Sequence, residues 1–242
     1  MINFPKELLQ IMEKRPLLLL HAALGSKQQL EPLAQLLSDR FQIYSLDFEG
    51  HGDFNSEAIF SIERFADNTL AFLQEHQLEK VDIFGYSMGG YVALHLAQNH
   101  PGKVGNIFTF GTKLDWTVEA AERETKMLNP EVIAAKVPHF AEKLRQVHSG
   151  NDWKSVLHRT AAMMRNLAAG EKLSDHDFNQ IQHRVLITVG AIDKMVSVKE
   201  SEHVAGQLGN AECRVIEGFQ HAIEKNDTRA LANMVSAFVN QV

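Results

Sequence analysis

A chain of 242 residues that is 45% hydrophobic and 22% charged has the length for one large α/β domain or two small ones and can bury a sizeable core. A net charge of −6 with no basic run argues against a nucleic-acid surface. The single cysteine, Cys213, excludes a disulfide within the chain, fits a reducing, cytoplasmic setting, and is expected as a small buried residue of an apolar-alternating run.

In chain order, residues 3–13 have the pattern of a short helix with Asn3 as cap and Pro5 in its first turn. The run Pro16–Leu20 reads as a buried strand; the apolar stretch around it is too short to span a membrane, and the preceding Lys14-Arg15 does not make it a signal peptide. Lys27–Arg40 reads as an amphipathic helix started by Ser26, with Leu30, Leu33, Leu36 and Leu37 on one side. Phe41–Leu46 is the next strand, followed by Asp47 and a polar, glycine-rich loop containing Gly50-His51-Gly52. A helix over Ser61–His76 leads to a strand over residues 80–84.

The stretch Gly85-Tyr86-Ser87-Met88-Gly89-Gly90 follows that strand and precedes an apolar helix over Tyr91–Asn99. A serine in so sharp a strand-to-helix turn needs small neighbours, and its hydroxyl stands exposed at the carboxyl edge of the sheet, facing helix N–H groups that favour negative charge. The bland alternative is a turn that binds phosphate or only turns. Val104–Phe110 is the next strand, so the order is strand and helix in alternation, as in a mostly parallel, doubly wound sheet of about six strands.

The alternation stops between Gly111 and Arg184. Helices are expected over 117–128, 130–148 with a kink at Pro138, 151–169 and 175–182, the last with capping-box spacing at Ser174-Asp175-His176-Asp177. It resumes with a strand over 185–189, a helix over 198–208, a strand over 212–217 and a helix over 228–241. The expected organisation is therefore a core of residues 1–111 and 184–242 with a helical cap of 112–183 over the strand edge where such sheets bind ligands.

A nucleophilic serine needs a base, and the base an orienting acid. Asp193 lies in the loop after strand 185–189 and His221 in the loop after strand 212–217. Asp193 has two duller readings, a helix cap or a partner for Lys194. Asp115, after the preceding strand, is the rival acid. His21 and His51 are read as holding loop backbone, and His95 and His100 show no metal-binding pattern.

The order Ser87, Asp193, His221, with His21-Ala22-Ala23-Leu24-Gly25 and Gly50-His51-Gly52 ahead of them, resembles the α/β-hydrolases from about residue 16 to the end. The resemblance implies a serine nucleophile, oxyanion donors at the N–H groups of Ala23 and Met88, and no metal or organic cofactor. Two departures are Ala22, where the family usually has glycine, and the N-terminus, where fourteen residues are too few for the antiparallel hairpin with which family members often begin, so a reduced sheet is expected. Trp116, Met127, Phe140, Met163, Met164 and Leu167, together with Trp153, are the apolar cap residues expected either to pack the helices or to line a pocket. The expected substrate is a small, uncharged, moderately apolar carboxylic ester. Alternatives are thioester, carbon–carbon or perhydrolytic chemistry on the same residues, or a non-catalytic sensor on the same fold. The sequence leaves the oligomeric state open.

Overall fold

The computed structural model describes residues 14–240, so the helix expected over residues 3–13 lies outside the described residues. Six strands, β1 (Pro16–Leu20), β2 (Gln42–Ser45), β3 (Val81–Tyr86), β4 (Val104–Phe110), β5 (Val185–Gly190) and β6 (Ala211–Ile216), form one sheet in the order β2-β1-β3-β4-β5-β6. Every pairing is parallel. β1 is a continuous apolar run, and β3 is buried along its whole length with Asp82 as its one charged residue, because both faces of the sheet are covered. Leu18, Leu20 and Ile83 enter one core, whereas Leu17, Leu19 and Phe84 enter the other. This is the doubly wound α/β arrangement that the alternating pattern implies.

The connecting helices are α1 (Glu31–Leu37), α2 (Ile62–Glu75), α3 (Met88–Asn99), α9 (Val198–Gln207) and α10 (Thr228–Asn240). Between β4 and β5 lie α4 (Val118–Lys126), α5 (Pro130–Lys136), α6 (Pro138–Val147), α7 (Trp153–Asn166) and α8 (Asp175–Gln180). Among the described residues no helix is long and apolar enough to cross a membrane.

Three local expectations differ from the structure. The helix expected over Lys27–Arg40 begins as a tight turn at Lys27–Leu30, and Ser26 makes no side-chain cap bond. Instead Asp47, from the loop after β2, accepts the amide of Lys27 at 2.7 Å and lies 3.5 Å from its ammonium. At Pro138 the chain does not kink one helix but separates two, with Val137 non-helical at φ −137°, ψ 58°; proline disfavours the α conformation at the residue before it. Cys213 is half-buried on the edge strand β6 rather than in the core. Burial, then Glu202, raises its thiol pKa above the ordinary value.

One polar group is built into the sheet. Opposite Asp82 of β3 the pairing with β4 slips, running from Val81↔Val104 to Ile83↔Ile107, so two β4 residues oppose one. Such a bulge leaves a strand amide without its ladder partner. The buried Asp82 carboxylate accepts the Asn106 amide at 2.6 Å and its side-chain nitrogen at 3.0 Å, and meets the Arg15 guanidinium at 2.8 Å. Asp82→Ala is expected to lower unfolding free energy by about 2 kcal/mol, the scale of charge-assisted hydrogen bonds. Urea denaturation should show a lower midpoint at unchanged slope.

Candidate active site

Ser87 joins β3 to α3 in a conformation L-residues rarely adopt, φ 51°, ψ −115°. Sterics explain why glycine stands at both flanking positions. A Cβ on Gly85 would strike the backbone of Gly90, and one on Gly89 would strike the Leu20 carbonyl at the end of β1. The turn is pinned on its backbone: the Ser87 amide donates to Phe110 O at 2.8 Å, and the Thr112 hydroxyl donates to Ser87 O at 3.0 Å.

The loops after β5 and β6 bring Asp193 and His221 together. His221 Nδ1 lies 2.9 Å from Asp193 Oδ2, and the Asp193 side chain is fully buried. The other carboxylate oxygen, Oδ1, accepts the amides of Met195 at 2.8 Å and Val196 at 3.0 Å. Burial works most strongly against the Asp193 charge, but the His221 hydrogen bond and charge, with those two amides, outweigh it and hold the pKa below its ordinary value. The cap of α9 is a different group, the reciprocal Ser197–Glu200 box. Asp115, the rival acid, is exposed. Tyr86, to which the sequence reading gives no role of its own, donates its hydroxyl to the His221 carbonyl at 2.9 Å and accepts the Ile223 amide at 3.3 Å.

The loop after β1 is held by neutral imidazoles. His21 Nε2 lies 3.1 Å from the Phe48 amide, which can only donate, so the proton sits on Nδ1 and is donated to Ala22 O at 2.7 Å. By the same logic His148 Nδ1 accepts the Gly52 amide at 3.1 Å, and Nε2–H is donated to Leu24 O at 3.1 Å. The left-handed residue of this loop is Leu24, φ 61°, rather than Ala22, so alanine meets no conformational barrier there. His51 stacks on Phe60, a ring that also meets Phe65 and has the Arg159 guanidinium 4.3 Å from its centroid. Burial drives all three histidine pKa values down: His21 to about 4, His51 well below its ordinary value and His148 below.

Ser87 and His221 line one narrow cavity of about 40 Å³, room for about three waters. Ala23 and Met88 are at its wall. Of the apolar residues singled out between β4 and β5, Trp116, Met163, Met164 and Leu167 line it. Met127 and Phe140 do not; they are 57% and 38% exposed. Met127 falls past the end of α4, whose buried face is Ala120, Ala121 and Glu124, and Phe140 is off the Ala141/Leu144 face of α6. Trp153 packs with Ile133, Leu144 and Leu157 in a separate cluster. Tyr91, Lys113, Glu124 and Met195 also line the cavity. Asp175 and Asp177, with metal-like spacing around His176, are explained otherwise: Asp177 completes the Ser174 capping box and Asp175 meets His203 at 3.0 Å.

A family model described as alpha/beta hydrolase fold matches residues 15–168, a stretch that includes Ser87 and stops short of Asp193 and His221. A pimeloyl-[acyl-carrier protein] methyl ester esterase of Neisseria meningitidis is 25% identical over 93% of this chain and 93% of its own length. A probable alcohol acetyltransferase of Cyberlindnera fabianii is 38% identical over 98 residues, 38% of this chain. The match spans 26% of that relative, and between 26% and 43% of the first four curated relatives. Among solved structures, a serine hydrolase of Cycloclasticus zankles superposes with TM-score 0.78 at 18% identity, covering 94% of this chain and 90% of the other.

The neutral histidines have a measurable consequence. In the unfolded chain they protonate near 6.5, whereas folded His21 resists until about 4. Between those values the unfolded state binds more protons, so stability is lost as pH falls through this window. The His21 displacement alone corresponds to about 3 kcal/mol. Urea denaturation from pH 7 to pH 4.5 should show this decline, and a flat profile would mean that the rings are not held neutral.

Proposed function

Because the chain belongs to the alpha/beta hydrolase fold family, we propose that it is a serine hydrolase acting on a small, uncharged, moderately apolar carboxylic ester. The observation that carries this reading is the strained Ser87 sharing a cavity with His221, whose other ring nitrogen is held by buried Asp193. In this mechanism His221 takes the Ser87 proton as the hydroxyl attacks the ester carbonyl. Asp193 fixes the imidazole tautomer and stabilises the imidazolium. The Ala23 and Met88 amides hold the oxyanion, aided by the N-terminal end of α3. His221 then protonates the departing alcohol, and water releases the acyl group from Ser87 by the same steps in reverse order. The reaction so drawn calls on no metal or organic cofactor. We assign residues 112–183 the role of a cap over the core formed by 1–111 and 184–242. The narrow cavity favours a short acyl group. A cytoplasmic setting fits the single cysteine.

A second reading keeps the acyl-enzyme and changes its acceptor from water to an alcohol. It is favoured by the relatives named as alcohol acetyltransferases and by the small cavity. Adding ethanol to a nitrophenyl acetate assay separates the two: transfer yields ethyl acetate, and hydrolysis yields acetate alone.

A fluorophosphonate probe should label the wild-type protein and leave Ser87→Ala unlabelled; an unlabelled wild type would sink the hydrolase reading. Asp193→Asn should lower kcat by about three to four orders of magnitude, whereas Asp115→Asn should leave it near wild type. The opposite pattern would move the acid to Asp115.

A further inference from the structure

The cavity wall contains a carboxylate that helix packing alone does not call for. On α4 the buried face runs through Ala120, Ala121, Glu124 and Thr125, so an acidic side chain occupies a position where an apolar one would pack. Glu124 is 3% exposed and lines the cavity with Ser87. Its Oε1 accepts Arg123 Nε at 3.1 Å and lies 3.1 Å from Nη2. Its Oε2 is buried and has no partner among the described residues. Trp116, 6% exposed on the same wall, likewise has a buried Nε1–H without a partner. A buried acceptor and a buried donor, both unmet, thus belong to two residues of the wall that lines one small space with the nucleophile. Such groups discriminate strongly against a ligand that leaves them unpaired.

The neighbouring charges narrow the ligand. Arg123 offsets the Glu124 charge, and the Lys113 ammonium, at the same wall, lies 5.8 Å from the Trp116 ring centroid and 3.4 Å from both oxygens of Glu200. A cationic substrate would meet the Lys113 ammonium on that wall, and Arg123 already occupies one oxygen of Glu124. A neutral group that both donates and accepts would meet none of this opposition, and a hydroxyl is the smallest such group that fits a cavity of about 40 Å³. Resting on the serine-hydrolase reading above, we propose that Glu124 and Trp116 form a specificity subsite for a hydroxyl on the substrate, with Glu124 Oε2 accepting from it and Trp116 Nε1–H donating to it. The ester is then a short hydroxylated one rather than a purely apolar one.

The test compares kcat/KM for 4-nitrophenyl 3-hydroxybutyrate and 4-nitrophenyl butyrate, each divided by that ester's uncatalysed rate. The wild type should favour the hydroxylated ester by at least about tenfold. Glu124→Leu and Trp116→Phe should each bring the ratio toward one. Glu124→Gln, which keeps the shape and an acceptor, should retain part of it and carries the comparison if the leucine variant does not fold. A wild-type ratio near one, or an undiminished ratio in folded Glu124 and Trp116 variants, overturns the subsite while leaving the hydrolase reading intact. Failure of that reading looks different: neither ester is turned over, and the fluorophosphonate does not label Ser87.

Discussion

The conformation of Ser87 is the constraint on which the other parts of the site depend. A non-glycine residue at φ 51°, ψ −115° costs about 1–3 kcal/mol, and the surroundings must over-determine it to keep it there. They do so from two strands and the segment that follows the second. β1 comes so close that only glycine fits at 89, β4 supplies the Phe110 carbonyl, and the residue after the next, Thr112, holds the Ser87 carbonyl. β1 and β3 are neighbours although the chain passes through β2 between them. The order reverses at that point, which leaves a crevice at their carboxyl ends. Strain and crevice therefore coincide: the packing that forces the turn also brings Ala23 and Met88 to the cavity that the serine lines.

The segment between β4 and β5 shares the apolar core on one face of the sheet and is tied to the crevice by polar contacts as well. His148 bridges Leu24 of the first loop and Gly52 of the second. Arg159 donates to the Ser56 and Ala58 carbonyls, and Asn151 accepts the Ser56 amide. At its entry, Glu200 accepts the Leu114 amide and pairs with Lys113 while also closing the capping box of α9. On the other side the Tyr91 hydroxyl, from α3, accepts the Leu173 amide at 2.8 Å. These bonds are directional, so they orient the helices of this segment relative to the loops and to α3. Hydrophobic burial alone would leave that placement loose, because it has no preferred direction.

What could be read from the residues, and what could not, divides along sequence separation. The capping box at Ser174–Asp177 is local, and the elbow is legible from its own spacing because Gly85 must clear the backbone of Gly90, although distant strands hold the turn in place. The alternation of strand and helix implies the sheet, and parallel strands place Asp193 and His221 at one edge without any contact information. The misplaced residues depend on distant partners. Asp47 caps the turn at Lys27 from 20 residues away, a role the nearer Ser26 had seemed to fill. Helical periodicity marks Met127 and Phe140 as apolar but does not say how α4 and α6 are rotated relative to the cavity. The bridge from His148 to Leu24 spans 124 residues, and no pattern in either stretch points to the other. Glu124 is the instructive case, since a charged residue at a helical position reads as solvated surface until its burial is known.

The treatment of charge around Ser87 follows from which backbone groups meet each side chain. Asp193 meets amides, which can only donate, and stays ionised despite its burial. His21 and His148 each meet one amide and one carbonyl, a combination that suits a neutral ring and penalises an imidazolium, because the amide would then face a second donor. In the proposed reaction this difference matters. The negative charge of Asp193 acts on His221 at 2.9 Å and favours the imidazolium that forms as Ser87 attacks. The loop that presents Ala23 is held by neutral imidazoles, so the oxyanion is received by fixed dipoles that need no reorganisation as charge develops. A positive ring in their place would bind water or anions and would tie the loop's geometry to pH. Neutral histidines keep the loop in place by hydrogen bonding, and the Ala22 carbonyl accepts from both His21 at 2.7 Å and the Gly25 amide at 3.1 Å, which fixes the loop on its own backbone.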